Sequence, residues 1–352
     1  MNSSMNFLIY LGHPAHYHLF KNSLKGLINE GHQVKILIKK KDVLETLLKA
    51  DNWEYVNIMK GERGDKKWQI ALSLLKRDWE MWRIVRSFKP DVMAGTSAEI
   101  THIGKLLGIP SIVVNEDDAE VVPLFAQLAY PFATKILAPN CCKVGKWEYK
   151  KIGYESYHEL AYLHPNNFTP DPSYKEKYNL GDSYFIIRLA KLNAHHDAGR
   201  KGITTQIARD IIDRLTPHGK VWITSERALE PEFEPYRIAV PPSEIHHVMA
   251  FANIYIGDSQ TMAAEAAVMG VPAIRFNDFV GEIGYLNELE NKYQLGFGIR
   301  ANDSQKMLQT LEKLLQSDYK SEWKNKRQRM LNEKIDLSQF LTNVLVETAH
   351  KK

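Results

Sequence analysis

The sequence predicts an α/β protein made of two doubly wound halves, each a parallel sheet covered by helices. Short apolar runs alternate with helical periodicity along most of the chain, and the alternation breaks once at a proline-rich stretch before it restarts. The 352 residues, 44% hydrophobic and 25% charged, are enough for two sizeable cores and exclude a disordered or fibrous chain.

Phe7 to Leu11 is a continuous apolar run ending in Gly12, His13 and Pro14, and Phe20, Leu24, Leu27 and Ile28 follow at the spacing of one helix face. Gly31 stops that helix, and Val34, Ile36 and Ile38 form the next strand. A strand, helix, strand unit of about thirty residues builds parallel sheets. A helix with Val43, Leu44, Leu47 and Leu48 precedes a strand at Tyr55 to Met59, and a long helix from Lys67 to Phe88 stops before Pro90. Val92 to Gly95, Ser111 to Asn115 and Lys135 to Leu137 read as further strands with short helices between them.

From His164 to Pro172 the chain carries prolines and asparagines that support neither helix nor central strand, which marks a linker. Strands at Tyr184 to Arg188, Val221 to Thr224, Ile254 to Ile256 and Pro272 to Arg275 then alternate with helices at Ile203 to Leu215, Ser243 to Phe251 and Thr261 to Met269. The last fifty residues are helical by pattern. The predicted division is therefore 1–165, 166–335, and a final helix, 336–352, that crosses back to the first half.

The 46 basic and 42 acidic residues leave a net charge of +4, too mild for a dedicated nucleic-acid binder, so no nucleic-acid partner is expected. The only cysteines, Cys141 and Cys142, are adjacent, which staples no loop and matches no zinc pattern. Phe7 to Leu11 is too short for a signal-peptide core, and no stretch approaches the ~20 apolar residues that span a bilayer. A cytoplasmic protein is expected. No sequence feature sets an oligomeric state.

Open parallel sheets bind ligands beyond the carboxyl ends of their strands, so the residues after each strand are the candidates, in a cleft between the two sheets. At Gly257, Asp258, Ser259, Gln260 and Thr261 a strand delivers the chain to a polar turn and an alanine-rich helix. The backbone N–H groups and helix dipole there suit a diphosphate, and Glu265 lies one turn on, where a carboxylate can accept both hydroxyls of a ribose. An ordinary Ser259 N-cap on a packed helix reads the same residues equally well.

The turn after the first strand offers His13, His16 and His18 as general bases or phosphate contacts. Alternate histidines also chelate metals, but no further ligand with standard spacing accompanies them. No metal is expected. Glu116, Asp117, Asp118 and Glu120 crowd the loop after the Ser111 strand, where like charges call for pairing or protonation if they are buried. After the Tyr184 strand come Lys191, His195 and His196, with Arg188 and Arg275 as further cations for phosphates.

The strings Gly12 to Asn22, Tyr157 to Pro165 and Gly257 to Ala267 span both halves. On them the chain resembles the GT-B superfamily, the twin Rossmann-like architecture of many nucleotide-sugar glycosyltransferases and of the non-hydrolysing UDP-N-acetylglucosamine 2-epimerases. It resembles more closely a bacterial and archaeal family of unknown function within that superfamily. The resemblance implies that Ser259, Gln260 and Thr261 hold a donor diphosphate and Glu265 its ribose. It also implies epimerase-like placements for Glu116 and Asp117 and for His195 or His196. The sequence departs from the epimerases after the fourth strand, where Thr96 and Ser97 stand in place of an acidic residue.

The leading expectation is a glycosyltransferase that passes a sugar from a nucleotide-diphosphate donor to a polysaccharide or lipid-linked acceptor without metal or cofactor. His16 or Asp117 would act as base and His196 is a further catalytic candidate, with Gly12, His13, His18, Glu116, Arg188, Lys191, His195, Asp258 and Arg275 lining the substrate. A nucleotide-sugar 2-epimerase and a non-catalytic nucleotide-sugar-binding protein are the alternatives.

The helix at Lys67 to Phe88 combines Trp68, Trp79 and Trp82 with Lys66, Lys67, Lys76, Arg77, Arg83 and Arg86, a mixture that suits peripheral contact with an anionic membrane surface, here the inner face. Ile70, Leu74, Trp82 and Val85 also lie at core spacing, as in any helix that covers a sheet.

Overall fold

The computed structural model describes residues 4–39, 42–58, 67–190 and 202–351. The chain divides into two compact units, Met1–Tyr162 with Ile335–Lys352, and Leu163–Lys334.

In the first unit, β1 (Asn6–Leu11), α1 (Pro14–Asn29), β2 (Gln33–Ile38), α2 (Asp42–Ala50) and β3 (Tyr55–Asn57) run to one edge of the sheet. The chain then returns through α3 (Lys67–Phe88) to β4 (Val92–Gly95), which pairs with the free side of β1. It continues outward through α4 (Glu99–Leu107), β5 (Ser111–Val114), α5 (Pro123–Ala129), β6 (Lys135–Pro139) and β7 (Lys151–Tyr154). All seven strands are parallel, in the order β3-β2-β1-β4-β5-β6-β7. The strand order therefore reverses between β1 and β4, the place where an open sheet leaves a crevice at its carboxyl edge.

Burial follows the strand pattern. β4 and β5 are buried throughout, as strands covered on both faces must be. Leu8 and Tyr10 of β1 and Met93 of β4 pack under Met81 and Val85 of α3 and Ile100 and Ile103 of α4. Gly95 closes β4 at φ 151°, and a Cβ there would run into the Tyr10 carbonyl, so only glycine lets the two strands lie this close.

The second unit begins with Leu163 because the turn at His164 is tied forward: the Asn166 and Phe168 N–H groups bond to it, and the Phe168 ring lies against His247. Its elements are α6 (Ser173–Lys177), β8 (Tyr184–Leu189), α7 (Thr205–Leu215), β9 (Lys220–Ser225), α8 (Ile245–Met249), β10 (Ile254–Gly257), α9 (Gln260–Met269) and β11 (Ala273–Phe276). α10 (Gly284–Asn287), β12 (Gly296–Ile299), α11 (Ser304–Leu315) and α12 (Lys320–Glu333) complete it. The five strands are parallel in the order β12-β11-β10-β8-β9, so this sheet reverses between β8 and β10.

The last helix, α13 (Leu337–His350), belongs to the first unit. Ser156 donates to the Ile335 carbonyl at 2.7 Å, and Ser23 of α1 donates to the Ser338 carbonyl at 2.8 Å.

Two short edge strands, β7 and β12, were not expected. Each contains glycine and little apolar alternation. The expected helix at Ile203 starts two residues later, because Thr204 caps it by accepting from the Ile207 N–H.

Candidate functional site

The β1–β4 reversal brings the turn after β1 beside the residue after β4. His13 caps α1, its Nδ1 accepting from the Ala15 N–H at 3.2 Å, and Pro14 occupies the first helical position, where no N–H is required. His16 lies one turn in. Its Nδ1 accepts from the Gly12 N–H at 3.2 Å and lies 2.5 Å from the Thr96 hydroxyl. A nitrogen that accepts a backbone N–H holds a lone pair, so the neutral ring carries its proton on Nε2. In this state the outer nitrogen of His16 donates a hydrogen bond rather than taking a proton.

His18, expected to line the substrate, is instead buried. Its ring packs 5.1 Å from that of Tyr162, and Asn22 below it donates to the Ala161 carbonyl at 2.8 Å. The first and second of the strings singled out in the sequence thus pack on each other.

The acidic loop after β5 is paired, not mutually repelling. Asp118 is buried and accepts from the Lys143 N–H at 2.8 Å, which pins the loop to the turn after β6. Glu116 accepts from the backbone N–H of His158 at 3.2 Å and lies 3.4 Å from its Nδ1. The His158 Nε2 is buried with no hydrogen-bond partner among the described residues. A protonated ring would therefore bury an N–H without an acceptor, and burial pushes the His158 pKa down to about 3, with Asp117 pulling weakly the other way. The His158 ring is therefore neutral. Asp117 is half-buried in the same loop. The nearest carboxylate after β4, Glu99, is buried in an ion pair with Arg77 at 2.8 Å and does not replace the acidic residue missing at Thr96.

In the second unit the reversal lies between the ends of β8 and β10. Asp258, expected to touch substrate, has both carboxylate oxygens on backbone N–H groups, Ala190 at 2.6 Å and Ile203 at 3.2 Å. Burial raises its pKa against those two donors. Its role is to hold the end of β8 and the approach to α7, and a Cβ on Gly202 would strike it. Ser259 caps α9 by accepting from the Met262 N–H at 3.4 Å, and Gln260 and Thr261 form its half-buried first turn.

One turn along α9, Glu265 is 5% exposed and its Oε1 lies 2.9 Å from Nε2 of His246 on α8, itself 5% exposed. The carboxylate is thus fixed in place before any ligand arrives.

The expected phosphate cations are placed differently. Arg275 is 1% exposed, with Nε and Nη2 on the two oxygens of Glu290 at 2.8 and 3.1 Å, so it stands in a core ion pair. Arg188 is turned to Glu226, the residue just after the neighbouring strand β9. Lys191, His195 and His196 lie outside the described residues. Thr96, His158 and His246 were not foreseen as site residues. His158 stands inside the string Tyr157 to Pro165, and that was the one signal for it.

The sequence matches the family described as "Protein of unknown function (DUF354)" over residues 5–350. No curated protein matches the sequence. Among solved structures, the chain is similar to the UDP-GlcNAc 2-epimerase from Neisseria meningitidis bound to UDP-GlcNAc, with 14% identity and a TM-score of 0.66 over 99% of this chain and 100% of that one. It is similar to the UDP-GlcNAc 2-epimerase from Methanocaldococcus jannaschii, with 14% identity and a TM-score of 0.68 over 97% and 100%. A glycosyltransferase from Rickettsia africae aligns at 13% identity and a TM-score of 0.65 over 99% and 100%. The fold of the chain is that of the GT-B proteins.

Proposed function

We propose that this chain, which belongs to the DUF354 family, is a glycosyltransferase that moves a sugar from a nucleotide-diphosphate donor to a glycan or lipid-linked acceptor. The observation that carries the reading is Glu265: a buried carboxylate, oriented by His246, one turn into a helix that starts at the strand reversal of the second unit. The donor diphosphate sits on the N–H groups at the start of α9, and the ribose hydroxyls donate to Glu265. With Arg188 and Arg275 engaged by carboxylates, the helix start supplies the positive potential for the leaving diphosphate.

The acceptor proton is assigned to the first unit. His16 donates from Nε2 in its resting tautomer, so it suits an oxygen ligand, and Asp117 is the base. The similar structures include glycosyltransferases as well as epimerases, which fits this reading at the level of the fold.

Glu116 with neutral His158 supports a second reading, 2-epimerisation, because a carboxylate beside an imidazole can move a proton on and off carbon. Incubation with UDP-N-acetylglucosamine in deuterated water separates the two. Transfer chemistry leaves C2 unlabelled and releases nucleoside diphosphate when an acceptor is added. Deuterium at C2 without acceptor replaces the first reading by the second.

A further inference from the structure

On the first unit, α3, α4 and α5 form one layer over the sheet and leave apolar side chains uncovered. Trp79 is 58% exposed and stacks on Trp82 with ring centroids 5.0 Å apart. Leu106 on α4 is 69% exposed, Leu124 on α5 is 61% exposed, and Leu128 and Phe132 are exposed beside it. His102 joins the three helices. Its Nδ1 lies 3.1 Å from Asp78 of α3, its Nε2 2.9 Å from the Leu128 carbonyl of α5, and its ring meets Phe132 edge-on at 5.2 Å. Both ring nitrogens face acceptors, which favours the protonated ring, and Asp78 is the main cause of its raised pKa.

Charge on this face has one sign. Asp78 is bound to His102, Glu80 to Arg83 and Glu99 to Arg77, which uses every acidic residue on the described parts of these helices. Arg77, a basic residue of the sequence pattern, is thereby turned inward. Lys76, Arg86 and Lys105 are exposed with no carboxylate partner among the described residues. Lys66 lies outside the described residues, as do the side chains of Lys67, Trp68, Ile70 and Leu74. No described helix is long and apolar enough to cross a membrane.

We propose that the outer face of α3, α4 and α5 docks flat on an anionic lipid bilayer, with Trp79, Leu106, Leu128 and Phe132 at the level of the headgroups and Lys76, Arg86 and Lys105 on the phosphates. Stacked tryptophan and aliphatic side chains flanked by unpaired cations match the chemistry of that interface. A second copy laid on the same face by two-fold symmetry would oppose cation to cation, so self-association does not fit the charge. The inference rests on this surface alone. Its failure would leave the donor-site assignment standing.

The test is co-sedimentation of the full chain with vesicles of phosphatidylcholine and phosphatidylglycerol, and with phosphatidylcholine alone. The expected result is binding to the anionic vesicles at low salt, release as salt rises, and none to the neutral ones. Arg86→Glu with Lys105→Glu should lower the partition coefficient by roughly 30-fold or more, on the scale of removing two surface cations. Trp79→Ser with Phe132→Ser should weaken binding at unchanged thermal stability, since both residues are exposed. Absence of sedimentation with anionic vesicles, or binding indifferent to all four substitutions, would overturn the proposal. A concentration-dependent dimer dissolved by Trp79→Ser would assign the face to a second copy instead.

Discussion

Mild acid should destabilise the first unit through His158. In the folded protein the ring is largely buried, its Nδ1 and backbone N–H face Glu116, and its buried Nε2 has no acceptor among the described residues. Burial holds its pKa at about 3, whereas an unfolded chain protonates histidine near its ordinary value of 6.5. Between those two values the unfolded state binds a proton that the folded state refuses, so stability is full above about pH 6.5 and falls as pH falls toward 3. At about 1.4 kcal/mol per unit, moving from pH 7.5 to pH 5 costs about 2 kcal/mol through this residue alone. Urea unfolding read by tryptophan fluorescence reports chiefly on the first unit, which holds five of the seven tryptophans. His158→Gln keeps a donor for Glu116 and cannot titrate. The wild type should lose about 2 kcal/mol more than this variant between the two pH values. Equal losses in the two proteins would refute the assignment of a buried neutral imidazole.

Asp258→Ala leaves the Ala190 and Ile203 N–H groups without their acceptor and should cost roughly 2 to 4 kcal/mol in urea unfolding; a loss below about 0.5 kcal/mol would mean that water satisfies both. Arg275→Ala strands Glu290 in the core and should cost about 3 to 5 kcal/mol, while Arg275→Met with Glu290→Leu recovers most of it and leaves UDP affinity unchanged; weakened UDP binding in that double variant would restore Arg275 as a phosphate ligand. Asp117→Asn should lower turnover roughly 100-fold or more at unchanged donor affinity, and equal losses in both would make Asp117 a binding residue instead.

The sheet-building parts of the fold were legible because their signals are local. A wholly apolar run such as Phe7 to Leu11 or Val92 to Gly95 has few readings other than a covered strand, and the Pro165 to Pro172 stretch can only break the pattern. Gly153 in β7, and Gly296 and Gly298 in β12, erased the corresponding signal at the sheet edges. The candidate site was legible only as positions. A histidine or carboxylate after a strand reads as available in the sequence, yet its role depends on partners far along the chain. Thr96 reaches His16 from eighty residues away, His158 takes Glu116 from forty-two, and Glu290 consumes Arg275 across the end of β11. Asp258 looked like a ligand for the same reason, since nothing local reveals that two backbone N–H groups wait for it. His246 is the converse case, one of two adjacent histidines without a motif of its own, and it acquires meaning only from Glu265 opposite.

The most direct test of the donor site is calorimetric titration of UDP into the full chain and into Glu265→Gln, with the thermal unfolding of both compared. Glutamine keeps the volume and an oxygen for His246 but loses the charge that ribose hydroxyls would meet. The account predicts that the wild type binds UDP and that the variant binds it more weakly by roughly 1 to 3 kcal/mol at an intact fold. Equal affinity in the two proteins would contradict it.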